Sequence, residues 1–224
     1  MERRTKHDTG HFNIALELAR YVADDVRFPC SVDRRIHKMA LFYLVRHGEA
    51  NYEYMLENGF WGFGRDFAPL SEKGKQQAET AAKDSRLKNA EIIVSSPYTR
   101  ALQTAQIISR ETGIRVEVDI DLHEWIPDEN NQYKTSEDSF AFAREFTKLE
   151  GEYPPGEKRR WESLSHMRKR MICVADKYSD YDKVIFVGHG MVFRCLTYIE
   201  KMHPAEIIEC TYQKGQEECE YSFT

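Results

Sequence analysis

The sequence predicts an α/β fold, a three-layer α/β/α sandwich around a mostly parallel central sheet. Apolar runs of strand length alternate with stretches of helical periodicity, the pattern of a sheet covered by helices. The runs are continuous rather than alternating, as befits strands buried on both faces. The chain has 224 residues, of which 41% are hydrophobic and 31% charged. That length supports one sizeable core, and that mixture excludes wholesale disorder.

The chain divides near Met39. Residues 1–38 carry eight basic and six acidic side chains and read as an N-terminal extension. Within it Ala15, Leu18, Ala19, Val22 and Val26 form one amphipathic helix face, with Asn13 as its N-cap and Pro29 beyond its end. That face has to be covered by the main domain, by a second copy in a homodimer, or by the mouth of the site. Residues 39–224 form the main domain. Leu41–Val45, Glu91–Ser95, Val116–Ile120 and Lys183–Val187 read as strands. Helical spacing marks Glu72–Ser85, Tyr98–Arg110, Ser136–Glu150, Lys158–Tyr178 and Val192–Lys201. Glu209–Phe223, with Lys214-Gly215 at its middle, reads as a closing hairpin at a sheet edge.

Charge and composition narrow the functions. A net charge of -5 argues against nucleic acid as a partner. The longest apolar run, Met39 to Val45, falls far short of a bilayer span, so no membrane partner is expected. The start of the chain has no apolar stretch of the signal type. The five cysteines form no CxxC pair, which suits reduced thiols and a cytoplasmic location. Cys210 and Cys219 flank the closing turn, so a bridge across it stays open.

In open α/β sheets the ligand lies beyond the carboxyl ends of the strands. The first strand is followed by Arg46-His47-Gly48-Glu49 and the last by Gly188-His189-Gly190. The second leads to Ser95-Ser96-Pro97-Tyr98-Thr99-Arg100, with Ser96 placed to cap a helix and Pro97 to open it. The third leads to Asp121-Leu122-His123-Glu124-Trp125. One edge thus receives two His-Gly pairs, two arginines and a carboxylate. Singly, each has an ordinary structural explanation. Together they call for an anion, because burying several cationic groups side by side is costly without one. Guanidinium pairs suit a phosphate dianion, and the glycines admit close backbone approach. Flanking arginines disfavour imidazolium, leaving a neutral ring able to attack phosphorus.

Four blocks, Arg46-His47-Gly48-Glu49, Pro69-Leu70-Ser71-Glu72-Lys73-Gly74-Lys75-Gln76-Gln77-Ala78, Ser95 to Ala105 and Gly188-His189-Gly190, occur in that order. With them the chain resembles the histidine phosphatase superfamily, in its phosphoglycerate-mutase-like branch, from about Ala40 to about Leu196. The resemblance implies a phosphoglycerate-mutase-like fold and a phosphohistidine mechanism. His47 would be the nucleophile, with Arg46, Arg100, His189 and Gly190 around the phosphate. Glu124 matches the family's proton donor, with Asp128 and Glu129 as rivals, and Glu49 reads as structural. Relatives carry an asparagine six positions after the nucleophile; here Asn51 lies four after it, and its phosphate contact is the weakest of the set. No cofactor and no metal ligand are expected.

The stretch Tyr52 to Phe67 interleaves Tyr52, Tyr54, Phe60, Trp61, Phe63 and Phe67 with Gly59, Gly62 and Gly64. It reads either as a lid over the leaving group or as a satellite cluster on the sheet. The leading expectation is a metal-independent phosphatase acting on a small phosphorylated substrate, with phosphoproteins open. One alternative is a cofactor-dependent phosphoglycerate mutase, for which Arg159 and Arg160 are candidate extra cations. Gly190-Met191-Val192-Phe193-Arg194 departs from the Gly-Asn-Ser-Leu-Arg usual in mutases. Further alternatives are a non-catalytic phosphate-binding module and a zinc site from His47, His189, His123 and Glu124, against which the arginines argue.

Overall fold

A computed structural model of the chain describes residues 38–216. The leader helix, the return strand of the closing hairpin and the pairing of Cys210 with Cys219 lie outside the described residues. Five strands form one sheet in the order β3-β2-β4-β1-β5: β1 (Met39–Arg46), β2 (Ile92–Ser95), β3 (Val116–Val118), β4 (Lys183–Gly188) and β5 (Ile207–Gln213). The first four are mutually parallel, and β5 runs antiparallel against β1, pairing Met39 with Gln213 and Val45 with Ile207.

Strand residues alternate between two cores, which is why the runs are apolar throughout. Phe42, Leu44, Ile92, Val94, Val184 and Phe186 face a layer containing Trp161, Met167, Met171 and Val174. Tyr43, Val45, Ile93, Ile185 and Val187 face Ala101, Ala105, Ile108 and Leu87. The second layer comes from α2 (Glu72–Ala82) and α3 (Thr99–Thr112), and the first from α4 (Ser136–Lys148) and α5 (Leu164–Tyr178). Two short helices, α1 (Tyr52–Glu57) and α6 (Gly190–Phe193), follow β1 and β4. The expected three-layer α/β/α sandwich is present.

Of the boundaries that differ from the sequence reading, three have an evident local reason. Helix α5 starts at Leu164, not Lys158, because the Ser163 side chain accepts from His166 N and caps it there. Trp161 and Glu162 ahead of the cap are buried in non-helical chain. β3 stops at Val118, because the Asp119 carboxylate accepts from Asp121 N and bends the chain into the 3-10 turn Ile120–Leu122. The expected helix Val192–Lys201 shrinks to Gly190–Phe193. Cys195, Leu196, Ile199 and Met202 are buried from turns, so their helix-like spacing reports burial alone.

β1 and β4 lie side by side in the middle of the sheet, with Arg46 opposite Gly188. His47 N continues that ladder by donating to Gly188 O at 3.0 Å. The residues just past the two strands are therefore neighbours.

Candidate active site

The rings of His47 and His189 lie 5.1 Å apart, centroid to centroid. His47 is 7% exposed. Its Nδ1 lies 2.6 Å from Gly48 O, and Arg100 Nε donates to its Nε2 at 3.2 Å. An N–H pointing at Nε2 requires a lone pair there, so the ring proton is on Nδ1, donated to the Gly48 carbonyl. Burial first, and then the Arg100 and Arg46 charges, lower the His47 pKa to about 3. The ring is neutral, with Nε2 as its basic atom.

Close packing of backbone holds this turn. A Cβ on Gly48 would stand 2.3 Å from Gly74 O, and one on Gly74 would stand 2.1 Å from Glu49 O. Gly48 N donates to Thr104 Oγ1, tying the turn to α3. Ser71 caps α2 through Gly74 N and also donates to the Glu49 carboxylate, which pairs with Lys73. Glu49 is structural, as expected.

His189 is fully buried at the end of β4. Its Nε2 meets Ser96 Oγ at 2.8 Å, and burial holds it well below the usual imidazole pKa, with the Arg100 charge adding to the effect. Ser96 is thus the partner of His189 rather than a helix cap, and α3 begins after Tyr98 without a side-chain cap. Arg100 is 4% exposed, stacks over the Tyr98 ring, and has a buried Nη1 without a hydrogen-bond partner in the protein. Arg46 donates from Nη1 to Met202 O and keeps its Nε buried and unpartnered. Uncommitted guanidinium N–H groups beside two neutral imidazoles form a cup suited to a tetrahedral anion.

Glu124 borders two hollows. The larger, about 240 Å³, is lined by Tyr52, Phe63, Asp66, Arg100 and Trp125 among others. The smaller, about 210 Å³, has Arg46, Gly190, Arg194 and Lys201 on its walls. Glu124 Oε1 accepts from Trp125 N at 2.9 Å, and burial raises its pKa against the pull of Arg100, Arg170 and Arg46. Its backbone is fixed from behind. The buried Arg170 pairs with Glu162 through two nitrogens and donates to Asp121 O and His123 O. Trp125 Nε1 donates to Glu162 O.

The remaining sequence candidates sit elsewhere. Asp128 accepts from Asn130 N, Gln132 N and Tyr133 N and from both forks of Arg160, so its carboxyl is held below the usual range and is committed to its own loop. Glu129 pairs with Lys158. Arg159 pairs with Glu145 and Glu157. Asn51 is exposed and caps α1, its side-chain oxygen accepting from Tyr54 N at 3.3 Å. Among the described residues, no three His, Cys, Asp or Glu side chains form a group that could hold a metal. No helix among them is long and apolar enough to cross a membrane.

Comparison with known proteins agrees with this geometry. The family model of the histidine phosphatase superfamily (branch 1) matches residues 42–216. The chain belongs to the histidine phosphatase superfamily. The superfamily match covers every residue of the cup and reaches beyond the motifs into β5. A probable phosphoglycerate mutase GpmB of Cronobacter sakazakii is 30% identical over 166 residues, covering 70% of this chain and 73% of the relative. Among solved structures, a mycobacterial glucosyl-3-phosphoglycerate phosphatase is 26% identical with a TM-score of 0.53, over 70% of this chain and 76% of that one. A phosphoglycerate mutase from Bacillus anthracis shares the fold at a TM-score of 0.56 and 20% identity, over 84% of this chain and 94% of that one. Superfamily membership supports an enzyme of the phosphatase or mutase kind.

Proposed function

We propose that the protein is a metal-independent phosphatase that hydrolyses a phosphomonoester through a phosphohistidine on His47. The observation that carries this reading is the Arg100 Nε bond to His47 Nε2, which puts the lone pair of a neutral imidazole beside the guanidinium that would hold the phosphoryl group. In the first step Nε2 forms a bond to phosphorus while the ester P–O bond breaks. Glu124, whose pKa is raised by burial, serves as the proton donor to the leaving oxygen. In the second step a water adds to phosphorus as the P–N bond breaks, and Glu124 takes the water proton back. Arg46, Arg100 and His189 stabilise charge on the three non-bridging oxygens in both steps.

The test is turnover of para-nitrophenyl phosphate with excess EDTA present. Turnover should persist under chelation and vanish in His47→Ala, with the fold intact by circular dichroism. Near-normal turnover in that variant would remove His47 as nucleophile.

A second reading, a cofactor-dependent mutase, draws support from the smaller hollow, where Arg46, Arg194 and Lys201 could meet a second acidic group. It predicts interconversion of phosphoglycerates when 3-phosphoglycerate is supplied with a bisphosphoglycerate primer. The phosphatase reading predicts free phosphate instead.

A further inference from the structure

The geometry points to Asp66 as a positioning residue that competes with the incoming phosphoryl dianion for Arg100 and admits it only by taking up a proton. This rests on the reading above that Arg100 is a phosphate ligand.

Asp66 sits on the 3-10 turn Gly62–Phe67 in the aromatic stretch after α1. The turn is pinned across the hollow. Tyr133 donates its hydroxyl to Gly62 O at 2.9 Å, and Gly62, at φ +56°, lies so close to Asn131 that a Cβ would stand 2.8 Å from its carbonyl oxygen. The carboxyl is consequently held in place, its side chain 23% exposed, with Oδ1 3.9 Å from Arg100 Nη1. That distance is at the outer edge of an ion pair and too long for a hydrogen bond. Arg100 Nη1 keeps its N–H uncommitted while its charge is already answered.

A phosphoryl oxygen that accepts from this N–H arrives beside the carboxylate. Two anionic groups then share one buried cation, an arrangement relieved when the carboxyl binds a proton from solvent and donates the new O–H to the phosphoryl oxygen. The groups facing Asp66 are Arg65 on its own turn, Tyr98 and Arg100 at the start of α3, Glu124 on the loop after β3, and Tyr133 across the hollow. Arg100, Arg65 and the Tyr98 hydrogen bond favour the carboxylate, while burial and Glu124 oppose it; burial dominates and raises the pKa to about 6. Near neutrality the empty site therefore holds a carboxylate that the dianion must neutralise.

Sulfate is the probe, because its charge does not change over the range. Its dissociation constant is measured by 15N NMR of the His47 and His189 rings in the full chain. Above about pH 6 the wild-type constant should rise by up to about tenfold per pH unit, and at least about tenfold in all by about pH 8. Asp66→Asn should bind sulfate tighter than wild type near neutrality, with a change of less than about threefold over that range. Asp66→Glu, which keeps the titrating group, should restore the rise. A flat wild-type profile, or an equally steep one in Asp66→Asn, overturns the proposal. So does flattening by Glu124→Gln in place of Asp66→Asn, which would assign the proton to Glu124. None of these outcomes depends on turnover, so failure here is separable from failure of the phosphatase reading, which the para-nitrophenyl phosphate assay decides.

Discussion

Gly48 and Gly74 meet backbone to backbone, with room for a hydrogen on each Cα and nothing larger: a Cβ on the first would stand 2.3 Å from the carbonyl oxygen of the second. Relief requires backbone movement in the turn that aims His47. Gly48→Ala should cost more than about 2 kcal/mol in urea unfolding and most of the activity. Gly190→Ala is the contrast, because its Cβ would meet only Arg46 at 3.9 Å, an ordinary contact; its stability should change by less than about 0.5 kcal/mol.

The buried imidazoles make stability depend on pH. The folded-state pKa of His47 is lowered from 6.5 to about 3, and that of His189 is also well below 6.5. Between those values the unfolded chain binds protons that the folded chain does not, so stability falls as pH drops through 6.5 and below. Each ring should contribute a slope of about 1.4 kcal/mol per pH unit in that window, read from urea midpoints. His189→Gln should lower the slope by one ring's contribution, about 1.4 kcal/mol per pH unit. An identical slope in wild type and His189→Gln would show that this ring is solvated or paired with an anion; the comparison cancels the opposing contribution of Asp66, whose folded-state pKa is raised to about 6.

Leaving-group chemistry tests Glu124. A proton donor matters most when the departing oxygen is a strong base. Glu124→Gln should therefore slow hydrolysis of an alkyl phosphate by about a hundredfold or more and that of para-nitrophenyl phosphate much less. An equal loss on both esters would assign the proton to another group.

The Arg170–Glu162 pair lies outside the cup yet holds the loop that carries Glu124. Glu162→Gln leaves Arg170 buried with its charge half-answered and should destabilise the fold by about 3 kcal/mol. In kinetics it should lower kcat for alkyl esters more than KM rises, because the displaced group is Glu124 and the phosphate ligands stay in place. A variant with normal kcat would make the pair purely structural.

The cup was legible because its members sit immediately after strands. Arg46, His47 and His189 follow apolar runs read to within two residues, and Arg100 lies at the start of the helix that follows the second run. β1 and β4 were easy to place because burial on both faces leaves their runs unbroken. What escaped was whatever depends on a partner remote in the chain. Ser96 reads locally as a cap, and only the fold brings His189 to its hydroxyl. Asp66 lies in a stretch dominated by aromatic residues, and its distance from Arg100 has no signature in spacing. Arg170 reads as one more cation on a helix, since no local pattern announces a buried pair with Glu162. Asn51 carries a second local role, capping the helix that follows it through its side-chain oxygen.

The two imidazoles owe their separation to the peptide ladder between β1 and β4, in which His47 N still donates to Gly188 O. Loops on the far side of the larger hollow contribute nothing to that ladder. Phe63, Pro127 and Ser139 line that hollow, so under the proposed phosphatase reading these wall positions, unlike Asp66 and Tyr133, can vary with the alcohol while the phosphorus-handling centre keeps its geometry.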